Sequence, residues 1–183
     1  TSPPALEPVT LAEAKAHLRV THADEDALIA SLIVAARRRT ELCAGVALIA
    51  QGWSYYLDRW PETAEVELPL APLIVIGDVF VYGEDDVGAS IDTAHYYADS
   101  ASRPPRLVRR TGRTFPIPGR AANGIEIAFQ AGFGAAAADV PVELRQAVLM
   151  LVAHAYENRG DESVGVPLTF EAAKDLGVTI GAG

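Results

Sequence analysis

The sequence predicts an α+β fold: a small helical bundle, made of two N-terminal helices and one C-terminal helix, with an inserted β-rich module. Apolar residues recur at helical spacing before about residue 50 and again after residue 135. Between these regions, short alternating or β-branched runs are interrupted by proline and glycine. We therefore predict an N-terminal helical part in residues 1–50, the inserted module in 51–134, the C-terminal helix in 135–160 and a C-terminal arm in 161–183.

Two helices are predicted in the N-terminal part. Thr10 and Glu13 have the spacing of a capping box, so a short helix begins there and runs to about Arg19. Three acidic residues at 24–26 open the second helix, where the helix dipole favours negative charge. Its apolar stripe consists of Leu28, Ile29, Leu32, Ile33, Ala36 and Leu42. Gly45 suits its C-terminal cap.

The middle of the chain predicts strands, and helix returns near the end. Residues 73–82 form a β-branched run, and residues 124–129 alternate most clearly. Short edge strands are predicted at residues 96–97 and 107–108. Pro141 then stands at a first-turn position, where its missing N–H costs nothing. The apolar face of the C-terminal helix consists of Leu144, Ala147, Val148, Leu151, Val152 and Ala155.

Composition narrows the class of protein. The 183 residues carry a net charge of −9, and the acidity is spread over the whole chain, which argues against a generally basic surface for nucleic acid. The single cysteine, Cys43, allows no internal disulfide and no cysteine-based metal centre. No apolar run approaches the roughly 18 residues of a membrane span. We expect a soluble protein of a reducing compartment, with no membrane partner.

One stretch of the acidic chain is basic. Six arginines occur between residues 103 and 120 without an intervening acid; they are Arg103, Arg106, Arg109, Arg110, Arg113 and Arg120. Guanidinium groups bind phosphates and carboxylates, so this stretch is a candidate contact with a partner or with DNA. The competing interpretation is a solvated loop whose charges pair with the acidic surface of the chain itself. Arg37–Arg39 are assigned to the exposed side and end of the second helix.

No catalytic set and no cofactor site is predicted. His154 and Glu157 lie one helical turn apart, but a metal site in a bundle needs matching ligands from several helices. The acidic residues 24–26 lack the further ligands and the glycine turn of a calcium loop. Cys43 lies in the last turn of an apolar helix and is interpreted as a packed thiol. The chain is therefore predicted not to be an enzyme.

The order of the elements and several boundary motifs resemble a known family. The sequence is similar to the head–tail connector, or adaptor, proteins of long-tailed phages and gene transfer agents, in the subgroup with a β-rich insertion. The segments that carry the resemblance are residues 8–20 (PVTLAEAKAHLRV), 24–29 (DEDALI), 51–53 (QGW), 68–73 (LPLAPL), 105–107 (PRL), 129–134 (FQAGFG), 139–146 (DVPVELRQ) and 154–159 (HAYENR).

The resemblance implies a structural virion protein, located in the neck of the particle and in the host cytoplasm during assembly. Such adaptors form a dodecameric ring beneath the portal, extend the DNA channel and dock a stopper or tail-side neck protein. The implied partners are the portal protein, neighbouring copies, that next neck protein, and DNA that passes without sequence recognition. Leu168, Phe170 and Leu176, in the C-terminal arm, are candidate portal contacts.

Three other functions remain open at this level. A nucleic-acid-binding protein would use the stretch 103–120 and would bind DNA with a steep salt dependence. A small hydrolase would need acids and bases that converge only in three dimensions. Another neck component, such as a stopper, would share the structural role but occupy a different position.

Overall fold

The computed structural model describes residues 4–159, and these form two compact units. One unit consists of residues 4–49 and 133–159, and the other of residues 50–132. The first contains the helices and the second contains the β-strands. Helices near both ends of the described chain, with antiparallel sheets between them in sequence, confirm the predicted α+β class.

The helical unit contains three α-helices: α1 (Leu11–Leu18), α2 (Asp26–Ala44) and α3 (Val142–Glu157). The predicted capping box is present, because the Glu13 N–H donates to Thr10 Oγ1 at 3.2 Å and the Thr10 N–H donates to Glu13 Oε2 at 2.8 Å. Gly45 ends α2 with φ 62°, a left-handed conformation that glycine adopts without strain. These local signals therefore place the helix ends as predicted.

The helices pack through one apolar side each. Ile29 and Ile33 of α2 and Val148 and Val152 of α3 are almost fully buried. The start of α2 lies beside the end of α3, because Tyr156 donates a hydrogen bond to Glu25. The two helices are therefore antiparallel.

Three details of the helical prediction are wrong. Leu28 and Leu42 belong to the exposed side of α2, with 36% and 75% of their surface accessible, because they lie on the side of the helix opposite Ile29 and Ile33. Ala155 is likewise exposed near the end of α3. Arg37 is buried, with 5% of its surface accessible, since it follows Ile33 by one turn and shares its inward side.

The β-rich unit holds seven strands. They are β1 (Gln51–Leu57), β2 (Glu65–Glu67), β3 (Leu73–Tyr82), β4 (Gly88–Ser90), β5 (Tyr96–Asp99), β6 (Arg106–Arg109) and β7 (Ile125–Ala131). Four of them form an antiparallel sheet in the order β1-β7-β3-β4, and three form a second sheet in the order β2-β6-β5. Because β7 lies between β1 and β3, its alternate side chains Ile125, Ile127 and Phe129 are buried.

The prediction that residues 107–108 form an edge strand is wrong. Strand β6 is the middle strand of its sheet, paired with β2 on one side and with β5 on the other. Leu107 and Val108 are both buried, which the interior position explains. Strand β5 does lie at an edge, as predicted.

Candidate assembly surfaces

Arg106 is held in an internal network of the β-rich unit. Its guanidinium forms ion pairs with Asp99, at 2.7 Å from Nη2 to Oδ2, and with Glu65 on the neighbouring strand. Ser102 also donates to Asp99 from its hydroxyl, at 2.6 Å. Hydrogen bonds from Ser102, together with those from Arg106, lower the pKa of Asp99 from 3.8 to about 2. This arginine therefore holds the two edges of the β2-β6-β5 sheet to its middle strand.

Two further arginines of the stretch also contact their own unit. Arg120 Nε lies 2.6 Å from Asp86 Oδ1, and its guanidinium stacks 4.3 Å from the centre of the Tyr82 ring. Arg110 donates to the carbonyl of Tyr96 at 3.1 Å and lies over the ring of Tyr97. These contacts agree with the interpretation in which the arginines pair with the chain's own surface.

The other three arginines have different surroundings. The side chains of Arg103, Arg109 and Arg113 have no hydrogen bond or ion pair with residues 4–159, although Arg109 takes part in strand β6 through its backbone. Arg103 and Arg113 are exposed. The structure therefore divides the six predicted contact residues into two groups, and only these three keep a guanidinium available to a partner.

A long connection from residue 110 to residue 124 is fixed without regular secondary structure. The rings of Trp60 and Phe115 lie 4.2 Å apart, and Trp60 Nε1 donates to the carbonyl of Pro116 at 2.9 Å. The Gly119 N–H donates to the carbonyl of Tyr82 at 2.9 Å. At its tip, Ile117 leaves 92% of its surface accessible. A bulky aliphatic side chain is thus presented on an ordered loop.

A cluster of three hydroxyl groups around one carboxylate lies on one face of the β1-β7-β3-β4 sheet. Glu126 accepts hydrogen bonds from the hydroxyls of Tyr82 (2.6 Å), Ser54 (2.8 Å) and Tyr56 (3.0 Å). The bond from Tyr82, followed by those from Ser54 and Tyr56, lowers the pKa of Glu126. The same bonds raise the pKa values of Tyr56 and Tyr82. Because both oxygens of Glu126 are satisfied inside the cluster, the group orders the three strands.

The acidic residues at the start of α2 take part in tertiary contacts that the sequence did not reveal. Glu25 binds both Tyr156 and Arg159 of the α3 end, with 2.7 Å between Glu25 Oε1 and Arg159 Nη1. Asp26 accepts from Lys15 Nζ at 2.6 Å. These partners, in addition to the helix dipole, explain why carboxylates occur at 25 and 26. The residues 4–159 contain no group of His, Cys, Asp and Glu placed to hold a metal ion.

The outward sides of α2 and α3 carry unexpected apolar residues. On α2, a line of exposed side chains follows the alternating three- and four-residue spacing of a helix-packing face: Leu28, Ser31, Ala35, Arg38 and Leu42. On α3, Val142 leaves 68% of its surface accessible. The spacing of the exposed line on α2 is present in the sequence, but the sequence prediction places Leu28 and Leu42 in the buried stripe.

An open groove of about 450 Å³ in the β-rich unit is lined by residues that include Trp60, Ile117 and Arg120. Within residues 4–159, no helix is both long and apolar enough to cross a lipid bilayer. The candidate portal contacts Leu168, Phe170 and Leu176 lie outside the described residues.

A family model described as phage gp6-like head-tail connector protein matches residues 8–102, slightly more than half of the chain. The chain belongs to this family. Among curated protein sequences, none matches it. The connector is also similar to chains in solved particles. A chain in the virion of a native gene transfer agent (GTA) particle is 27% identical with a TM-score of 0.82, and the match covers 96% of this chain and 91% of that one.

Two necks of GTA particles give similar matches. A chain in the neck of an empty GTA particle, computed with C6 symmetry, is 28% identical with a TM-score of 0.78, over 95% of this chain and 93% of that one. A chain in the neck of a native GTA particle, computed with C12 symmetry, is 28% identical with a TM-score of 0.76, over 93% and 91%. The connector is thus a structural protein of the particle neck, as the sequence resemblance implied.

Proposed function

We propose that the connector forms a ring of twelve copies between the portal and the tail, where it acts as the adaptor and has no catalytic role. The observation that carries this proposal is the match to a chain in a neck with C12 symmetry, because it extends over nearly the whole of both chains. A closed ring needs two unlike, complementary surfaces on every copy. The two units offer such variety, since one is helical and the other is built from sheets.

In this ring the portal protein and the next neck protein are the axial partners, and DNA passes through the centre. The net charge of −9 per copy supports passage without adhesion, because DNA affinity depends on neutralisation of phosphates by basic side chains. Arg106, Arg110 and Arg120 are already committed to partners in their own unit. The C-terminal arm with Leu168, Phe170 and Leu176 stays the candidate contact with the portal.

Deletion of the gene from its source tests the role. We expect electron microscopy to show heads separate from complete tails, and expression of the wild-type gene in the deletion strain should restore joined particles. Normally joined particles in the deletion strain would overturn the adaptor function. A reconstruction of the restored neck would then count the copies, and a count other than twelve would overturn the proposed ring.

The available arginines keep DNA binding as a second candidate function. Arg103, Arg109 and Arg113 have no side-chain partner in residues 4–159, so they are free to neutralise phosphates. The triple variant with glutamine at these positions distinguishes the two functions. A true DNA-binding protein loses affinity and salt dependence in this variant. The adaptor has low affinity for duplex DNA with or without the three arginines.

A further inference from the structure

We infer that the outward side of α2 on one copy packs against the outward side of α3 on the neighbouring copy. This inference rests on the proposed ring and assigns the surfaces that close it. It starts from exposed side chains that the helical unit leaves uncovered. Leu42 and Val142 leave 75% and 68% of their surfaces accessible, although each lies on a helix whose other side is well buried. Large apolar side chains left exposed on one side of a helix are typical of a contact surface.

The two surfaces have the arrangement that a ring requires. Each helix has one line of side chains on the side turned away from its buried residues. The line on α2 consists of Leu28, Ser31, Ala35, Arg38 and Leu42, and the matching line on α3 consists of Val142, Gln146, Leu149 and Ala153. Because α2 and α3 pack on each other through their buried sides, the two lines lie on opposite sides of the helical unit. One copy can therefore contact a neighbour on each side with unlike surfaces, which is a heterologous interface.

The direction of the helices fixes their relative orientation in the ring. Within one copy α2 and α3 are antiparallel, since Glu25 at the start of α2 binds Tyr156 and Arg159 at the end of α3. One step of a C12 ring turns any direction by at most about 30°, so α2 also runs nearly antiparallel to α3 of the next copy. In the proposed contact, the end of α2 meets the start of α3 of the next copy.

In this register the side chains near the centre of the contact are complementary in size. Leu42 lies opposite Val142, and the same offset places Ala35 opposite Leu149 and Ser31 opposite Ala153. A large residue therefore meets a small one at the centre, and two small residues allow close approach on one side of it. This alternation lets two helices interdigitate, as in ridges-into-grooves packing.

The charges are complementary as well. Arg38 lies opposite Gln146, one helical turn from Glu143, and both charged residues are exposed. Neither side chain has a hydrogen bond or ion pair with residues 4–159. An arginine on one copy can thus reach a glutamate on the next. If either line bound a different protein, the fit between the two lines would have no explanation. We therefore assign both lines to a contact between two copies of the connector.

Disulfide trapping in assembled particles tests the contact. The background variant is Cys43→Ser, which removes the only native thiol. With Leu42→Cys and Val142→Cys added, oxidised particles should give a ladder of cross-linked connector multimers on a non-reducing gel. The matched control combines Leu42→Cys with Glu157→Cys, since Glu157 is also exposed on α3 but lies at the other end of that helix, about 22 Å from Val142. The control should give no ladder.

Charge reversal gives an independent readout. Arg38→Glu and Glu143→Arg should each reduce joined particles about tenfold, because each places two like charges close together at the interface. The double variant should restore them. Both sites are exposed, so thermal unfolding of the purified variants should match the wild type. Failure of the double variant to rescue, when each single variant is defective, would overturn the predicted pairing.

The outcomes separate this inference from the proposed function. Separate heads and tails in the deletion strain, together with no ladder from the 42/142 pair, would overturn the α2–α3 contact and leave the adaptor role standing. Cross-linking of Leu42→Cys to another neck protein would overturn it too. Normally joined particles in the deletion strain would instead overturn the proposed function on which the inference rests.

Discussion

Arg37 and Glu41 form a buried ion pair one turn apart on α2, with 2.6 Å between Arg37 Nη1 and Glu41 Oε2. Glu7 supplies a second carboxylate, 2.8 Å from Arg37 Nε. Glu41 also accepts from the N–H of Leu48 at 3.0 Å. The Arg37–Glu41 pair therefore joins three separate parts of the helical unit: the N-terminal segment through Glu7, α2 itself, and the segment that follows α2 through the N–H of Leu48.

Removal of Glu41 should destabilise the helical unit strongly. We expect Glu41→Ala to lower the free energy of unfolding by about 3 kcal/mol, because it leaves the Arg37 charge buried with one carboxylate fewer. Because Glu7 still neutralises part of that charge, the expected loss of stability is at the lower end of the range for a broken buried ion pair. Denaturation in urea, followed by the helical circular dichroism signal, measures it. The control Arg38→Ala, at an exposed neighbour, should stay within about 0.5 kcal/mol. Equal effects of the two variants would contradict this account.

Asp99 should make the β-rich unit sensitive to acid. The pKa of Asp99 is lowered from 3.8 to about 2 in the folded chain, first by Ser102 and then by Arg106. Because the pKa of Asp99 is lower in the folded chain than in the unfolded chain, the ionised carboxylate stabilises the fold at pH values above the unfolded-state pKa. This stabilisation is lost as the pH falls from about 4 to about 2. Asp99→Asn should remove this part of the acid dependence. Tryptophan fluorescence follows it, because Trp53 and Trp60 both lie in this unit.

A charge-neutralising change at an exposed glutamate is the control for that experiment. Glu62→Gln alters the net charge by the same amount as Asp99→Asn, but Glu62 forms no ion pair or hydrogen bond with residues 4–159. Stability measured at a series of pH values should therefore keep its acid limb in this variant. An acid limb that persists unchanged in Asp99→Asn would show that other carboxylates cause it.

Local signals predicted much of the fold because the two residues that form each signal lie close together in the sequence. Thr10 and Glu13 are three residues apart, and Gly45 directly follows its helix. The buried sides of α2 and α3 were also largely predicted, since their period is visible in the chain. The predicted buried stripe of α2 was too wide, because it included Leu28 and Leu42, which the structure leaves exposed.

The assembly surfaces were predicted less well because their contacts join distant positions. Tyr156 and Glu25 are 131 positions apart, and Arg106 and Glu65 are 41 apart. A run of arginines in sequence cannot reveal which guanidiniums find such partners. Strand β2 has only three residues, and its alternation does not show which strand it pairs with, so nothing in the sequence placed β6 in the middle of a sheet.

The tyrosines around Glu126 should titrate at a lower pH when its charge is removed. Hydrogen bonds to Glu126 raise the pKa values of both Tyr56 and Tyr82, because the carboxylate stabilises the protonated phenols. Glu126→Gln should therefore lower the pH at which these two phenols ionise. The ultraviolet absorbance of tyrosinate measures it, and Tyr82→Phe identifies the Tyr82 contribution. An unchanged titration curve in Glu126→Gln would contradict the cluster.

Gly119 should be intolerant of a methyl group, whereas Gly52 should tolerate one. A Cβ at Gly119 would lie 2.4 Å from the backbone N of Glu84 and 2.8 Å from the backbone C of Gly83, and neither atom can move without a shift of the chain. We expect Gly119→Ala to cost about 1–3 kcal/mol of stability, as overpacking does. A Cβ at Gly52 meets nothing within 4 Å, so Gly52→Ala should be neutral or slightly stabilising. Urea denaturation followed by tryptophan fluorescence compares the two variants. Equal stability would mean that the 110–124 connection does not lie against the β3–β4 turn.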